Sequence, residues 1–144
     1  MHDFCLIRHG ESVHRNLTSV GLIQVTEVTE RWRRLGVRGG VVVFHSPIEC
    51  AKETAEIFCK LTGRVSEVCY EISPANYHNF ELHHEFAERI AKMNARHVVL
   101  IGHEETRRVC GAISWQSFRR TDKPPYLPFG KILRFNPSHG YEVV

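Results

Sequence analysis

The chain has 144 residues, 42% of them apolar and 24% charged, and a formal net charge of +3. That length predicts a single domain over 1–144, able to bury roughly two thirds of its unfolded surface, and no run approaches the eighteen or so apolar residues of a membrane span. The mild basic excess suits an anionic ligand but falls short of a nucleic-acid footprint, so neither nucleic acid nor membrane is an expected partner.

Elements alternate along the chain. "FCLI" (4–7) and "VVVF" (41–44) are short apolar runs without polar alternation, as expected of strands covered on both faces. From Thr18 the residues Leu22, Val25, Val28, Trp32 and Leu35 recur at helical spacing, and Gly36 supplies the stop. A second helix is predicted from "SPIE", with Ser46 as cap, Pro47 in the first helical position and Glu49 closing a capping box. Its buried face reads Ala51, Ala55, Phe58 and Leu61, and Gly63 ends it. "VSEVCYEI" (65–72) is a more mixed strand, 79–94 a helix with Leu82, Phe86, Ile90 and Met93 inward, and "HVVLI" (97–101) a fully apolar strand. A fourth helix follows Gly102, using Val109, Ala112 and Ile113. "DKPPYLPFG" is a proline-rich loop, and "KILRF" (131–135) and "YEVV" (141–144) form a closing hairpin. This order predicts a three-layer α/β/α domain whose central sheet is mainly parallel with an antiparallel edge.

The N-terminus lacks a secretory signal, so a cytoplasmic location is expected. Five cysteines form no Cys-x-x-Cys pair and no zinc spacing, and their odd number argues for reduced thiols. His78, His83, His84 and His139 sit in polar surroundings and read as surface residues. "HHEFAE" lacks the second helical histidine of a zinc site, so no metal is expected.

Ligands of such sheets bind at the carboxyl ends of strands, beside helix N-termini. Three junctions qualify: "RHGES", "HSPIECAKETA" and "GHEETRR". In the first, a neutral His9 is a competent nucleophile toward phosphorus, and Arg8 offers a fork to phosphoryl oxygens. Gly10 permits a sharp turn or a close backbone approach, while Glu11 and Ser12 could orient the imidazole or donate to an oxyanion. His103 leaves its strand as His9 does, so one histidine could attack while the other stabilises developing charge.

"LIRHGES", "LTSVGLIQV", "HSPIECAKETAEIF" and "VVLIGHE" resemble, in this order, the signature segments of the histidine phosphatase superfamily, the phosphoglycerate mutase-like or RHG family. The short region between "CYEISP" and the fourth strand is similar to the SixA-type phosphohistidine phosphatases. The resemblance implies that His9 becomes phosphorylated, that Arg8 clamps phosphate and that His103 completes the pocket, with Ser46 in the second motif and no metal or organic cofactor. It implies a phosphate-bearing substrate, a phosphohistidine protein in particular; the oligomeric state stays open.

One position departs from that pattern. The family places a phosphate-gripping arginine two variable residues after Ser-Pro, where this chain has Cys50. Losing one preorganised donor typically costs about 10²–10³ in rate. Arg107, one turn after His103, and Arg15, in the loop after the first junction, are the leading replacement cations, with His45 and Lys131 behind them. Cys50 itself does not fit a cysteine-based phosphatase loop, because after five intervening residues comes Glu56 rather than arginine. Glu71 and Glu104 are the candidate general acids. A phosphoramidate, whose protonated nitrogen leaves readily, needs such an acid least. The alternatives to a phosphohistidine phosphatase are a small-molecule phosphomonoesterase and a catalytically degenerate phosphate- or phosphoprotein-binding member.

Overall fold

Phe4, Cys5, Leu6 and Ile7 have no exposed surface, and neither do Val98, Val99, Leu100 and Ile101. Only strands covered on both faces bury consecutive residues in this way. In the computed structural model, which describes residues 1–144, these runs form β1 (Asp3–Arg8) and β6 (His97–Gly102). They lie side by side in a six-stranded sheet of order β5-β4-β6-β1-β7-β8, completed by β4 (Val41–His45), β5 (Ser66–Val68), β7 (Ile132–Asn136) and β8 (Gly140–Val143). The first four strands in that order run parallel, and β7 and β8 form the antiparallel edge.

Helices cover both faces. The strand alternation sends Phe4, Leu6, Phe44, Leu100 and Phe135 toward α3 (Phe80–Ala91) and α4 (Arg107–Phe118), where Phe86, Ile90, Val109 and Ile113 meet them. Cys5, Ile7, Val43, Val99 and Ile101 point the other way, onto Val28 and Trp32 of α1 (Ser19–Arg34) and Ala55 and Phe58 of α2 (Glu49–Thr62). The predicted α/β/α architecture is the one observed.

Helix boundaries follow local chemistry. Thr18 caps α1 by accepting from the Gly21 amide, and Asn79 caps α3 by accepting from Leu82. Gly36 and Gly63 adopt φ of +66° and +71°, the left-handed stops expected of glycine.

Four expectations are corrected. Ser46 does not cap α2: the cap position is Ile48, without a side-chain bond, because the Ser46 hydroxyl is turned to His103 instead. Leu22 and Leu61 are 46% and 36% exposed, since each lies on the margin of its helix rather than over the sheet. The strand foreseen over 65–72 stops at Val68, beyond which the chain turns into a 3₁₀ segment at Tyr70–Ile72. His83 is buried under Phe80 rather than exposed. A small feature was not foreseen: β2 (Ser12–Val13) and β3 (Asn16–Leu17) form a ribbon whose turn places His14 and Arg15 at φ of +51° and +70°.

At the amino ends of the central strands, Asp3 accepts from His97 Nδ1 and, at 3.3 Å, from Arg134. Burial alone raises the Asp3 pKa, but the bond and charge of His97, and then of Arg134, outweigh it and hold the carboxyl below its ordinary 3.8. A depressed folded-state pKa contributes stability above the unfolded value and loses it as pH falls through the folded one. Asp3→Asn is therefore expected to cost about 1–3 kcal/mol at pH 7, and urea melts should show the gap from the wild type closing below about pH 4.

Candidate active site

The register of β1 on β6 decides the geometry. Arg8 lies opposite Gly102, and the amide of His9 donates to the Gly102 carbonyl at 2.9 Å. His9 and His103 therefore leave adjacent parallel strands at the same level. Their rings stand edge to face with centroids 5.0 Å apart. On the far side of β6, the Ser46 amide donates to the Ile101 carbonyl at 2.9 Å, so the three junctions meet in one row.

Each ring is held by a neighbour. His9 Nδ1 lies 2.7 Å from the Gly10 carbonyl. A carbonyl only accepts, so the proton of the neutral ring sits on Nδ1 and the lone pair on Nε2. Burial, with the Arg8 charge, lowers the His9 pKa despite that bond, and the ring is neutral near pH 7. His103 Nε2 and the Ser46 hydroxyl share a 2.7 Å hydrogen bond, and the Ile48 amide donates to the same hydroxyl. Burial first, then the charges of His9 and Arg8, push the His103 pKa down to about 3.

Arg8 reaches the proline-rich loop. Its Nη1 donates to the Leu127 carbonyl at 2.9 Å and to the Tyr126 hydroxyl at 3.1 Å, and its guanidinium lies 3.8 Å from the centre of the Phe129 ring. Phe129 also packs on His9, at 5.4 Å. Arg8 Nε is buried without a protein partner.

Gly10 works by close approach: a Cβ there would stand 2.5 Å from the Gly21 carbonyl oxygen. A Cβ on Gly21 would run into the Glu11 carbonyl. These two backbones touch, and Gln24 and Thr18 fasten the contact by accepting from the Glu11 amide and donating to its side chain. The Gly10 amide donates to Thr54 of α2.

Cys50 is 4% exposed in the first turn of α2, and its sulfur and one nitrogen from each of His9 and His103 all lie within 4.8 Å of one another. Burial pushes the thiol pKa up, while Ser12 and the helix amides pull it partly back. Ser12 thus sits beside Cys50 at the pocket margin.

The other candidates lie elsewhere. Arg15 is exposed at the tip of the β2–β3 turn, with no side-chain hydrogen bond or ion pair. Arg107 is paired with Glu104 and donates to the Pro124 carbonyl at 2.9 Å. Glu104 uses its other oxygen to accept from the Leu127 amide, so it anchors the loop beneath Arg8. Glu71 is bound to Arg89 and to the Cys69 thiol. His45 faces α2, where Lys52 and Glu56 are its charged neighbours, and Lys131 offers Arg8 only its backbone carbonyl. Sequence reasoning missed Tyr126, Leu127 and Phe129. The aromatic residues of "PPYLPF" were the available signal.

Phe129→Ala should weaken binding of tungstate or phosphate by about 1 kcal/mol, roughly fivefold, through loss of the ring under Arg8. Gly21→Ala should cost about 1–3 kcal/mol in chemical denaturation, because two backbones and not a flexible side chain must move apart. Isothermal titration and urea melts check these.

No protein-family model and no curated protein matches the chain. Solved structures do. The protein histidine phosphatase SixA, in a complex with tungstate, superposes with a TM-score of 0.73 at 18% identity, covering 99% of this chain and 94% of that one. An Agrobacterium tumefaciens protein assigned as a SixA phosphohistidine phosphatase gives 0.69 at 13% identity, covering 99% and 95%. A mycobacterial glucosyl-3-phosphoglycerate phosphatase, in a complex with VO3, gives 0.68 at 14%, covering 100% and 98%. The chain has the fold of these phosphatases along nearly its whole length.

Proposed function

We propose that this chain is a histidine phosphatase that removes the phosphoryl group from a phosphohistidine side chain of a protein. The observation that carries the proposal is the 2.7 Å bond from His9 Nδ1 to the Gly10 carbonyl, which leaves the Nε2 lone pair beside His103. In the first step Nε2 attacks phosphorus: the N–P bond of the substrate breaks, an Nε2–P bond forms, and the leaving imidazole keeps a proton taken from solvent. In the second, water attacks phosphorus, the Nε2–P bond breaks, and phosphate leaves. Arg8 and the first amides of α2 face the oxygens that carry the developing charge. The neutral ring of His103 offers an N–H without adding a competing positive charge.

The engagement of Glu71 and Glu104 in structural pairs supports a phosphoramidate over an ester, since an alkoxide leaving group needs a free acid. A cleft of about 810 Å³, bordered by Tyr77, Glu105, Arg107, Arg108 and Lys123, lies beside the residues that follow His103, although neither His9 nor His103 lines it. A second reading, a binding module without turnover, draws on Cys50: neither Arg15 nor Arg107 stands where the missing arginine would.

Hydrolysis of a phosphohistidine peptide and of a generic phosphate ester, both in EDTA, tests these readings. The wild type is expected to turn over the peptide through an acid-labile phosphoenzyme, and His9→Ala to lose both. Turnover that persists in His9→Ala would sink the mechanism. Cys50→Arg should raise the rate by up to about 10²–10³; activity seen only in that variant favours the binding module.

A further inference from the structure

The substitution that weakens the pocket as an anion site supplies it with a third metal-ligating atom. His9, Cys50 and His103 are 7%, 4% and 5% exposed, and each presents one donor atom within 4.8 Å of the other two. A tetrahedral ion with bonds of roughly 2.0–2.3 Å holds its ligands about 3.3–3.8 Å apart. The cluster thus needs only a small rotation of its side chains to close on one ion. Two imidazoles and a thiolate form a donor set of the zinc class, and the substrate side leaves a fourth position open.

The surroundings match what such ligands require. A ligating histidine normally has its other ring nitrogen tied to a carbonyl, carboxylate or hydroxyl. The Gly10 carbonyl already holds His9 Nδ1, leaving Nε2 unprotonated, and Ser46 holds the ring of His103. Arg8, the cation acting on His9, is bound by Leu127 and Tyr126, while the Glu105 carboxylate acts on His9 with the opposite sign.

We propose that His9, Cys50 and His103 form a mononuclear site for Zn²⁺, and that its occupancy and phosphoryl acceptance at His9 exclude one another. Binding replaces the Cys50 thiol proton, released to solvent, with an S–Zn bond, and it engages the same Nε2 lone pair that would attack phosphorus. The exclusion rests on the phosphatase reading; the metal site does not.

Reduced, chelator-stripped protein titrated with Co²⁺ as the probe is expected to take up one equivalent. It should show a thiolate-to-cobalt charge-transfer band together with tetrahedral d–d bands, and Zn²⁺ should displace both. Cys50→Ser should abolish the charge-transfer band, and Cys50→Ser and His103→Ala should each weaken Zn²⁺ binding by at least about 100-fold, with circular dichroism confirming the fold. If one variant fails to fold, the other carries the comparison, and His103→Gln is a third. Absence of the charge-transfer band in the wild type, or equal Zn²⁺ affinity in a folded variant, overturns the site. Hydrolysis should fall as Zn²⁺ is added and return with EDTA; turnover that is undiminished at saturating Zn²⁺, or that requires it, overturns the exclusion. A chain that binds Zn²⁺ yet never hydrolyses in EDTA refutes the phosphatase reading alone, and one that hydrolyses without binding Zn²⁺ refutes the metal site alone.

Discussion

The in-register parallel pairing of β1 with β6 is the constraint from which the site follows. Between their first residues, Asp3 and His97, and their last paired ones, Arg8 and Gly102, both strands are apolar because helices cover both faces, and the histidines follow where the pairing ends. A register shifted by one residue would turn one histidine to the other face of the sheet. His9 meets Cys50 of α2, whereas Arg8 is bound by the proline-rich loop.

Around this pair the support is mostly backbone. Gly10 and Gly21 touch with no space between them, Gly10 and Leu127 supply carbonyls to His9 and Arg8, and Glu104 pins the loop by accepting from its amide. Such contacts tolerate little change, since a carbonyl or amide shifts only with the chain that carries it. The second junction is different: it brings a side chain, Cys50, to the two histidines.

Much of this was legible in the residues. Unbroken apolar runs marked the central strands, helical spacing marked four helices, and the rule that ligands gather at strand ends selected the three junctions that meet. Local chemistry that depends on distant partners was not legible. Ser46 reads as a helix cap until His103, 57 residues away, competes for its hydroxyl. Arg107 reads as a free cation until its partner Glu104 is seen, and His83 reads as a surface residue until Phe80 covers it. The loop aromatics carry no periodicity, so nothing local tied Phe129 to an arginine more than a hundred residues earlier.

The restraint of Arg8 has a thermodynamic consequence. A long guanidinium side chain normally surrenders roughly 2 kcal/mol of rotamer entropy when it grips a ligand. Here Leu127, Tyr126 and Phe129 have already immobilised it. That cost is met during folding, so under the proposed function Arg8 is a donor already in place, and capture of an anion would be governed by desolvation rather than by ordering the protein.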